Sequence, residues 1–509
     1  MANQRTDLPN GSEISDTLST NLQWLTAVFA DCEDIAIDEW RYGPDLGAKG
    51  VSVYCRSFVE DQTNHYVRMA LQDLVPHRLG PASELLPGRI AEFYEHQGVA
   101  SQPMQLLGDR NELQSKVLEG YVVVLIDGWN QAIAYAAANV PKRQVTEPVE
   151  EPSVKGPREG TIERLDSNLA LIRQRVKSPD LKIKFITAGA AMRTRIAYLY
   201  LENVVNRDTL DCFRSRLMGI EQYEVPDTSY IEDWIEDSTL TPFPQYRYTQ
   251  RTDSASAALL DGKILVIAEN SPMIMIAPGL LVDFLSTSED YYTRTTIATL
   301  IRLLRLFAML IALMLPSIYI ALSTFHPELI PTVLLLAILD TREGIPFPAF
   351  IEALIMEISF ELLREAGIRL PRQVGSAVSI VGALVIGQAA IMAKIASPIM
   401  VIVVALTGIA SFTIPHYEMG AAIRIVRFPL MLASGLLGGF GIMIVSLLLL
   451  LHLICLHTLG QPYLSSLAPL KLRDLRDILV RISLKSMMRK ARNRRLDASR
   501  AAGRAGERS

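Results

Sequence analysis

Residues 370–415 constrain this chain more than any other stretch. They read LPRQVGSAVSIVGALVIGQAAIMAKIASPIMVIVVALTGIASFTIP, apolar along nearly the whole length, with polar residues that are few and mostly small. A bilayer core of roughly 30 Å is crossed by about twenty such residues in a helix. Two segments of that kind sit back to back here, joined by Lys394-Ile395-Ala396-Ser397-Pro398. The C-terminal part of the chain is therefore expected in lipid, and everything else must attach to it.

The first of the two segments carries a stripe of small residues. Gly375, Ser379, Ala383 and Gly387 recur at every fourth position and so share one helix face. Lipid supplies no hydrophobic force between helices, and small stripes let them approach closely. Two readings stay open: packing inside one subunit, or a helix that meets its own copies around an axis or lines a narrow pore. Gln388 lies beside the stripe, where a polar amide needs a partner or water.

Around this pair the pattern predicts a first membrane helix over 301–322, with Arg302 and Arg305 reaching the headgroups and Pro316 as a kink. The segment 332–339 is too short to span, and 342–348 breaks it. A helix follows over 350–366, in which Glu357, Glu361 and Glu365 fall four apart on one face. Acids at membrane depth are costly and mark cation routes, and rings of them select cations. The alternative is an interfacial amphipathic helix whose acids meet water, Arg364 or Arg369. A polar connection over 416–428 leads to a last helix over 429–456, where Gly435, Gly438, Gly439 and Gly441 offer close-packing positions. From Lys471 onward thirteen Lys/Arg face four acids, which places the tail in the cytoplasm and leaves the rest of the chain acidic. Four crossings fit, with 332–366 re-entrant or interfacial, although Arg364, Arg369 and Arg372 then lie on the outer side against the same rule.

The first 290 residues have the composition of an ordinary soluble protein. No apolar signal region opens the chain, and the four cysteines, Cys32, Cys55, Cys212 and Cys455, match neither a disulfide framework nor a zinc site. A cytoplasmic, reducing location is expected. Strand-like runs appear at 51–58 and 121–126, a linker rich in Pro, Glu and Val at 142–160, and a helix at 162–176. The second part repeats the first. Asn168-Leu169 with Ile172 echoes Asn21-Leu22 with Leu25, and Asp261-Gly262 before a strand echoes Glu119-Gly120, both offset by about 145 residues. The chain thus divides into a leader (1–18), one α/β subdomain (19–141), a linker (142–160), a related subdomain (161–290), a transmembrane domain (291–470) and a basic tail (471–509). The predicted fold class is α+β, two related α/β subdomains followed by helical membrane crossings. No phosphate loop, HExxH or nucleophile elbow is present, His65, His77 and His96 are scattered, and neither an enzyme nor a cofactor is expected.

Several motifs together point to a family. The run 346–390, with Gly156-Pro157-Arg158-Glu159-Gly160, Pro242-Phe243-Pro244-Gln245 and Glu289-Asp290-Tyr291-Tyr292, resembles the A subunit of the GerA-type spore germinant receptors over nearly the whole chain. Gln250-Arg251-Thr252-Asp253 departs from a usual Glu-Arg-Pro-Asp run, Ala268-Glu269-Asn270-Ser271-Pro272 replaces a usual Asp-Gly turn, and Thr161 stands where Phe is common. The resemblance implies the inner membrane of a bacterial endospore, with a transporter-like B subunit that binds the nutrient and a lipoprotein C subunit. It also implies a ring of A subunits, a pentamer, around a channel for monovalent cations. Gly375, Ser379, Ala383, Gly387 and Gln388 are the candidates for the pore or its packing. Glu357, Glu361 and Glu365 are the candidates for attracting cations. A secondary transporter, a non-conducting scaffold and an amplifying paralogue of the receptor subunit remain as alternatives.

Overall fold

The structure is a computed structural model that describes residues 12–42, 46–59, 104–137, 151, 155–370, 372–465 and 481, with the side chains of 372–381 set aside. The leader up to 11, most of the linker, His65, His77 and His96, and all of the basic tail except Arg481 lie outside the described residues. The chain forms two units. One comprises Met1–Ile235 and Tyr248–Pro278, the other Glu236–Arg247 and Gly279–Ser509.

The first unit holds two five-stranded sheets built to one plan. In the first sheet β1 (Ile35–Tyr42), β2 (Ala48–Cys55), β3 (Met104–Leu107), β4 (Tyr121–Ile126) and β5 (Ala132–Ala136) run in the order β1-β2-β4-β5-β3. In the second, β6 (Leu181–Ala188), β7 (Thr194–Leu201), β8 (Arg247–Thr249), β9 (Ile264–Ala268) and β10 (Ile274–Ala277) run in the order β6-β7-β9-β10-β8, the same permutation. The helices α1 (Leu18–Val28) and α2 (Arg110–Leu118) accompany the first sheet, and α3 (Leu165–Arg175), α4 (Arg207–Leu217), α5 (Thr228–Ile235) and α6 (Thr252–Leu260) the second. The pairs β1–β2, β2–β4, β4–β5, β3–β5, β6–β7, β7–β9 and β9–β10 are antiparallel, so the repeat is α+β.

Central strands β4 and β9 read YVVVLI and ILVIA, β-branched and aliphatic runs buried almost throughout, as strands covered on both faces require. Each is entered through a glycine at positive φ, Gly120 (93°) and Gly262 (82°), and a Cβ on Gly262 would fall 2.8 Å from the Val204 carbonyl oxygen. The asparagine echo has a physical basis too. Asn21 accepts from Ser15 N (3.0 Å) and donates to Ser15 O (2.6 Å), while Asn168 accepts from Ile162 N (2.8 Å) and donates to Ile162 O (2.5 Å). Each clamps the strand-like segment that precedes its helix.

The two sheets are joined along β6, an outer strand. Cys32 pairs with Ile183 in parallel, Glu33 N donates to Ile183 O (3.1 Å), and Phe185 N donates to the Glu33 carboxylate (2.8 Å). A bare strand edge is thereby covered. Beneath it Arg173 and Asp34, both fully buried, form a two-pronged ion pair of 2.9 and 2.8 Å. Burial raises the Cys32 thiol and pushes Cys55 up to about 12, so both are protonated core residues.

The second unit is helical: α7 (Thr295–Thr324), α8 (Thr332–Arg342), α9 (Ala349–Arg369), α10 (Arg372–Met392), α11 (Pro398–Phe412) and α12 (Tyr417–Cys455). Among the described residues α7 and α12 are long and apolar enough to cross a membrane. Helix α10 has 21 residues, and the 15 residues of α11 reach roughly 22 Å at 1.5 Å each. The four crossings expected from the sequence fall on α7, α10, α11 and α12, of which α11 is the short one.

Three expectations need correction. Residues 417–428 are helical and open α12, because Arg424 and Arg427 find carboxylates on α9 and no polar loop is needed to hold them. The last helix is not continuous: at Gly438 (φ 61°, ψ −138°) it breaks into two. Finally, Arg302 and Arg305 do not reach outward. Both grip the buried Asp290, Arg302 Nε to Oδ2 and Arg305 Nη1 to Oδ1 at 2.9 Å each, so an internal carboxylate replaces the headgroups. The segment 236–247 also belongs to this unit. Phe243 of its Thr-Pro-Phe-Pro turn is buried with Phe284, Ala308, Met419 and Tyr463.

Candidate functional site

Helix α9 follows Pro348, whose fixed φ suits the residue before a first turn, and it carries Glu352, Glu357, Glu361 and Glu365. Near-fourfold spacing keeps the acids on adjoining faces. Their burial falls steadily along the helix. Glu352 is fully buried, Glu357 is 5% exposed, Glu361 is half-buried and Glu365 is exposed.

Each acid has a guanidinium. Glu352 Oε1 lies 3.1 Å from Arg342 Nη2, and its Oε2 accepts from Ser397 N at 2.9 Å, tying α8 and the start of α11 to α9. Glu357 pairs closely with Arg427, which also donates Nε to the Ala312 carbonyl of α7 at 2.7 Å. Glu361 meets Arg424 at 3.0 Å and Arg364 at 3.4 Å, and Arg364 in turn donates to Ser411 Oγ on α11 at 2.9 Å. Glu365 pairs with Arg369 on its own helix at 2.6 Å. As numbers fall on α9 from Glu361 to Glu357, they rise on α12 from Arg424 to Arg427, so the two helices run antiparallel along this seam.

A lone charge in an apolar interior is very costly, and a pair survives there only with close geometry and further hydrogen bonds. The seam meets that condition only in part: Glu352 Oε1, Arg364 Nε and Arg427 Nη2 are buried with no hydrogen-bond partner among the described residues. The sequence identified Glu357, Glu361 and Glu365. It missed Glu352, one residue off the strict spacing, and Arg424 and Arg427, which read as a loop.

The small-residue stripe is only partly described. Gly375 and Ser379 fall in the helical stretch whose side chains are set aside. Ala383 is half-buried, and Gly387 is buried against Val401 of α11, whose Cγ1 would lie 3.4 Å from a Cβ there. Gln388 is exposed. Among the described glycines of α10, Gly382, one residue off the stripe, comes nearest to α9, where a Cβ would come within 2.5 Å of Leu363 Cδ1. Farther along α12 from the seam lies the helix break. Gly438 packs against Phe325, and the freed Gly439 N–H donates to His326 Nε2 at 3.3 Å.

The sequence model described as "Bacillus/Clostridium GerA spore germination protein" matches residues 23–493, spanning both units. The chain belongs to the GerA family. Spore germination protein KA of Bacillus subtilis is 37% identical over 474 residues, covering 92% of this chain and 85% of the relative. Spore germination protein A1 of the same organism is 38% identical over 377 residues, 74% of this chain and 78% of that one. An uncharacterized membrane protein of B. subtilis, YfkQ, is 39% identical over 479 residues, 94% and 91% of the two chains. The crystal structure of the N-terminal domain of the A subunit of the Bacillus megaterium spore germinant receptor GerK3 aligns with 54% of this chain and 99% of that domain, at 23% identity and a TM-score of 0.41. In this GerA-family chain the candidate pore and acidic residues all fall in the helical unit.

Proposed function

We propose that this protein is the A-type subunit of a nutrient germinant receptor, acting in a spore membrane without catalysis of its own. The observation that carries this is the family match from residue 23 to residue 493, which takes in the sheet unit and the helical unit together. The apolar helices α7 and α12 support membrane residence. In this reading the partners are a transporter-like B subunit that binds the nutrient and a lipoprotein C subunit, and the A subunits gather as a ring, a pentamer, that admits monovalent cations. A nutrient can drive such a ring open only by binding the open state more tightly. The buried seam between α9, α11 and α12 supplies an element with discrete pairings for that equilibrium to act on. The charge of the tail assigns both termini and the sheet unit to the inside, facing the spore core, and the loop near Arg369 then falls on the outer side against the same rule.

The test is early potassium release from spores given nutrient. Deleting the gene should abolish release to the nutrient that this receptor serves, and Ala383→Leu should slow it by crowding the α10 face. Unchanged release in both would overturn the proposal. A second reading is an accessory paralogue that serves several receptors, since the similarity to YfkQ, an uncharacterized membrane protein, about equals that to protein KA and does not choose between the two. Deletion would then weaken the response to many nutrients and abolish none.

A further inference from the structure

Helix α5, the segment before it and the β6–β7 loop carry large apolar side chains that a solvated domain rarely leaves bare. Tyr230 and Trp234 are one turn apart on α5, and the Trp234 ring lies 4.3 Å from that of Tyr223. Gly219, beside Met218, sits directly beneath Trp234, where a Cβ would be 3.7 Å from Cζ2. Met192 joins from the loop before β7, because its N–H, with those of Ala190 and Ala191, donates to the Glu224 carboxylate at 2.8–3.0 Å. Met218 is 73% exposed, Met192 59%, Tyr230 54%, Tyr223 53% and Trp234 38%. Contiguous exposed aromatics and methionines mark interaction sites, and these residue types dominate the cores of protein interfaces.

The rim is mainly acidic. Between Met218 and Ile235 there are five acids, Glu221, Glu224, Asp227, Glu232 and Asp233, and no Lys or Arg. Glu221, Glu224 and Asp233 are exposed. The amides of Ala191 and Met192 hold the Glu224 carboxyl below its ordinary value, so it keeps its charge. Of the nearby cations, Arg193 is exposed at one end, and Arg216 is occupied by the Ile235 carbonyl at 2.9 Å.

We propose that the face formed by Met192, Met218, Tyr223, Tyr230 and Trp234 is a docking surface for a basic amphipathic helix of a protein partner. The face is made of side chains and not of strand edge, so it accepts anchors spaced along a helix rather than an added strand. The aromatic centre takes the partner's apolar stripe, and the acidic rim selects Lys and Arg on its flanks while repelling acidic helices. The proposal stands on the sheet unit alone and is independent of ion passage.

The experiment uses the full-length protein in zwitterionic nanodiscs and a labelled 18-residue Leu/Lys helical peptide, read by fluorescence anisotropy against empty nanodiscs. The peptide should bind, and more weakly as salt rises. A Tyr223→Ser, Trp234→Ser variant should weaken binding at least tenfold. Glu221→Lys with Asp233→Lys touches no core residue, should weaken it about tenfold, and should admit a Leu/Glu peptide. If the aromatic variant loses its native circular dichroism, the charge-reversed variant decides alone. Equal binding of Leu/Lys and Leu/Glu peptides by the native protein would overturn the proposal. So would unaltered binding by the charge-reversed variant, or concentration-dependent self-association that the aromatic change abolishes, which would make a second copy the occupant.

Discussion

Each unit of this protein buries an arginine against a carboxylate, and the two are satisfied to different degrees. In the sheet unit Arg173 gives Nε and Nη2 to Asp34 and has two carbonyls besides, Ser178 O at 3.0 Å and Leu181 O at 3.2 Å. In the helical unit Arg427 has Glu357 and the Ala312 carbonyl, and its Nη2 stands without a partner among the described residues. A fully bonded guanidinium has no better arrangement to move to. An incompletely bonded one, at the meeting of three helices, keeps a donor in reserve. The first pair is a rivet between two subdomains, and the second has the character of a switch point, the kind of bistable contact through which a distant event moves packed helices.

The largest effects should come from breaking either pair on one side. Glu357→Gln leaves Arg427 buried and uncompensated, which costs about 3–5 kcal/mol. Spores should then hold much less of the protein, measured by immunoblot. Adding Arg427→Met to Glu357→Gln removes both charges and should restore most of the amount. If the switch reading is right, the double variant regains stability without regaining nutrient-triggered potassium release. Regaining both would reduce the pair to a structural prop. Asp34→Asn should destabilise by a similar figure, roughly 3 kcal/mol. Its rescue by Arg173→Met should restore stability and function together, because a rivet has no second role.

Much of this contrast was legible in the chain. The repeat showed in Asn21 and Asn168 and in Gly120 and Gly262 because these positions carry local demands, a clamp and a left-handed turn, that few other residues meet. Strands β4 and β9 were legible because burial on both faces forces continuous apolar runs. The seam was harder. Glu357, Glu361 and Glu365 announced a face by their spacing, yet which of them would be buried depended on α12, distant in sequence. Arg424 and Arg427 looked like a polar loop because a charged residue reads as exposed until its partner is known. The Asp290 grip on Arg302 and Arg305 was hidden for the same reason. The break at Gly438 was hidden because glycine in a membrane helix signals close packing as readily as a kink, and Gly438 serves both.

That break gives an intermediate effect. Gly438 lies in a backbone region nearly closed to other residues, and a Cβ would meet Phe325 Cβ at 2.8 Å. Gly438→Ala should cost about 1–3 kcal/mol, read as a lower unfolding temperature in nanodiscs. Adding Phe325→Ala relieves the contact and leaves the backbone strain, so rescue should be partial. Complete rescue would show that α12 is free to straighten there.

The smallest effects grade the acidic face itself. In the sequence Glu357, Glu361 and Glu365 are equivalent; in the fold they are buried, half-buried and exposed. Glu361 meets Arg424 with its side chain 39% exposed, and water screens much of that pairing. Glu365 and Arg369 are a surface pair on one helix, with side chains 54% and 78% exposed. Exposed pairs of this kind are worth about 0.2–1 kcal/mol. Gln at the three positions should therefore lower the unfolding temperature in the order 357, 361, 365, with Glu365→Gln nearly silent in low salt and silent in high salt. A face that served only to draw cations would show no such gradient in stability. Its substitutions would leave folding alone and change ion flux most at Glu365, the carboxylate that water reaches.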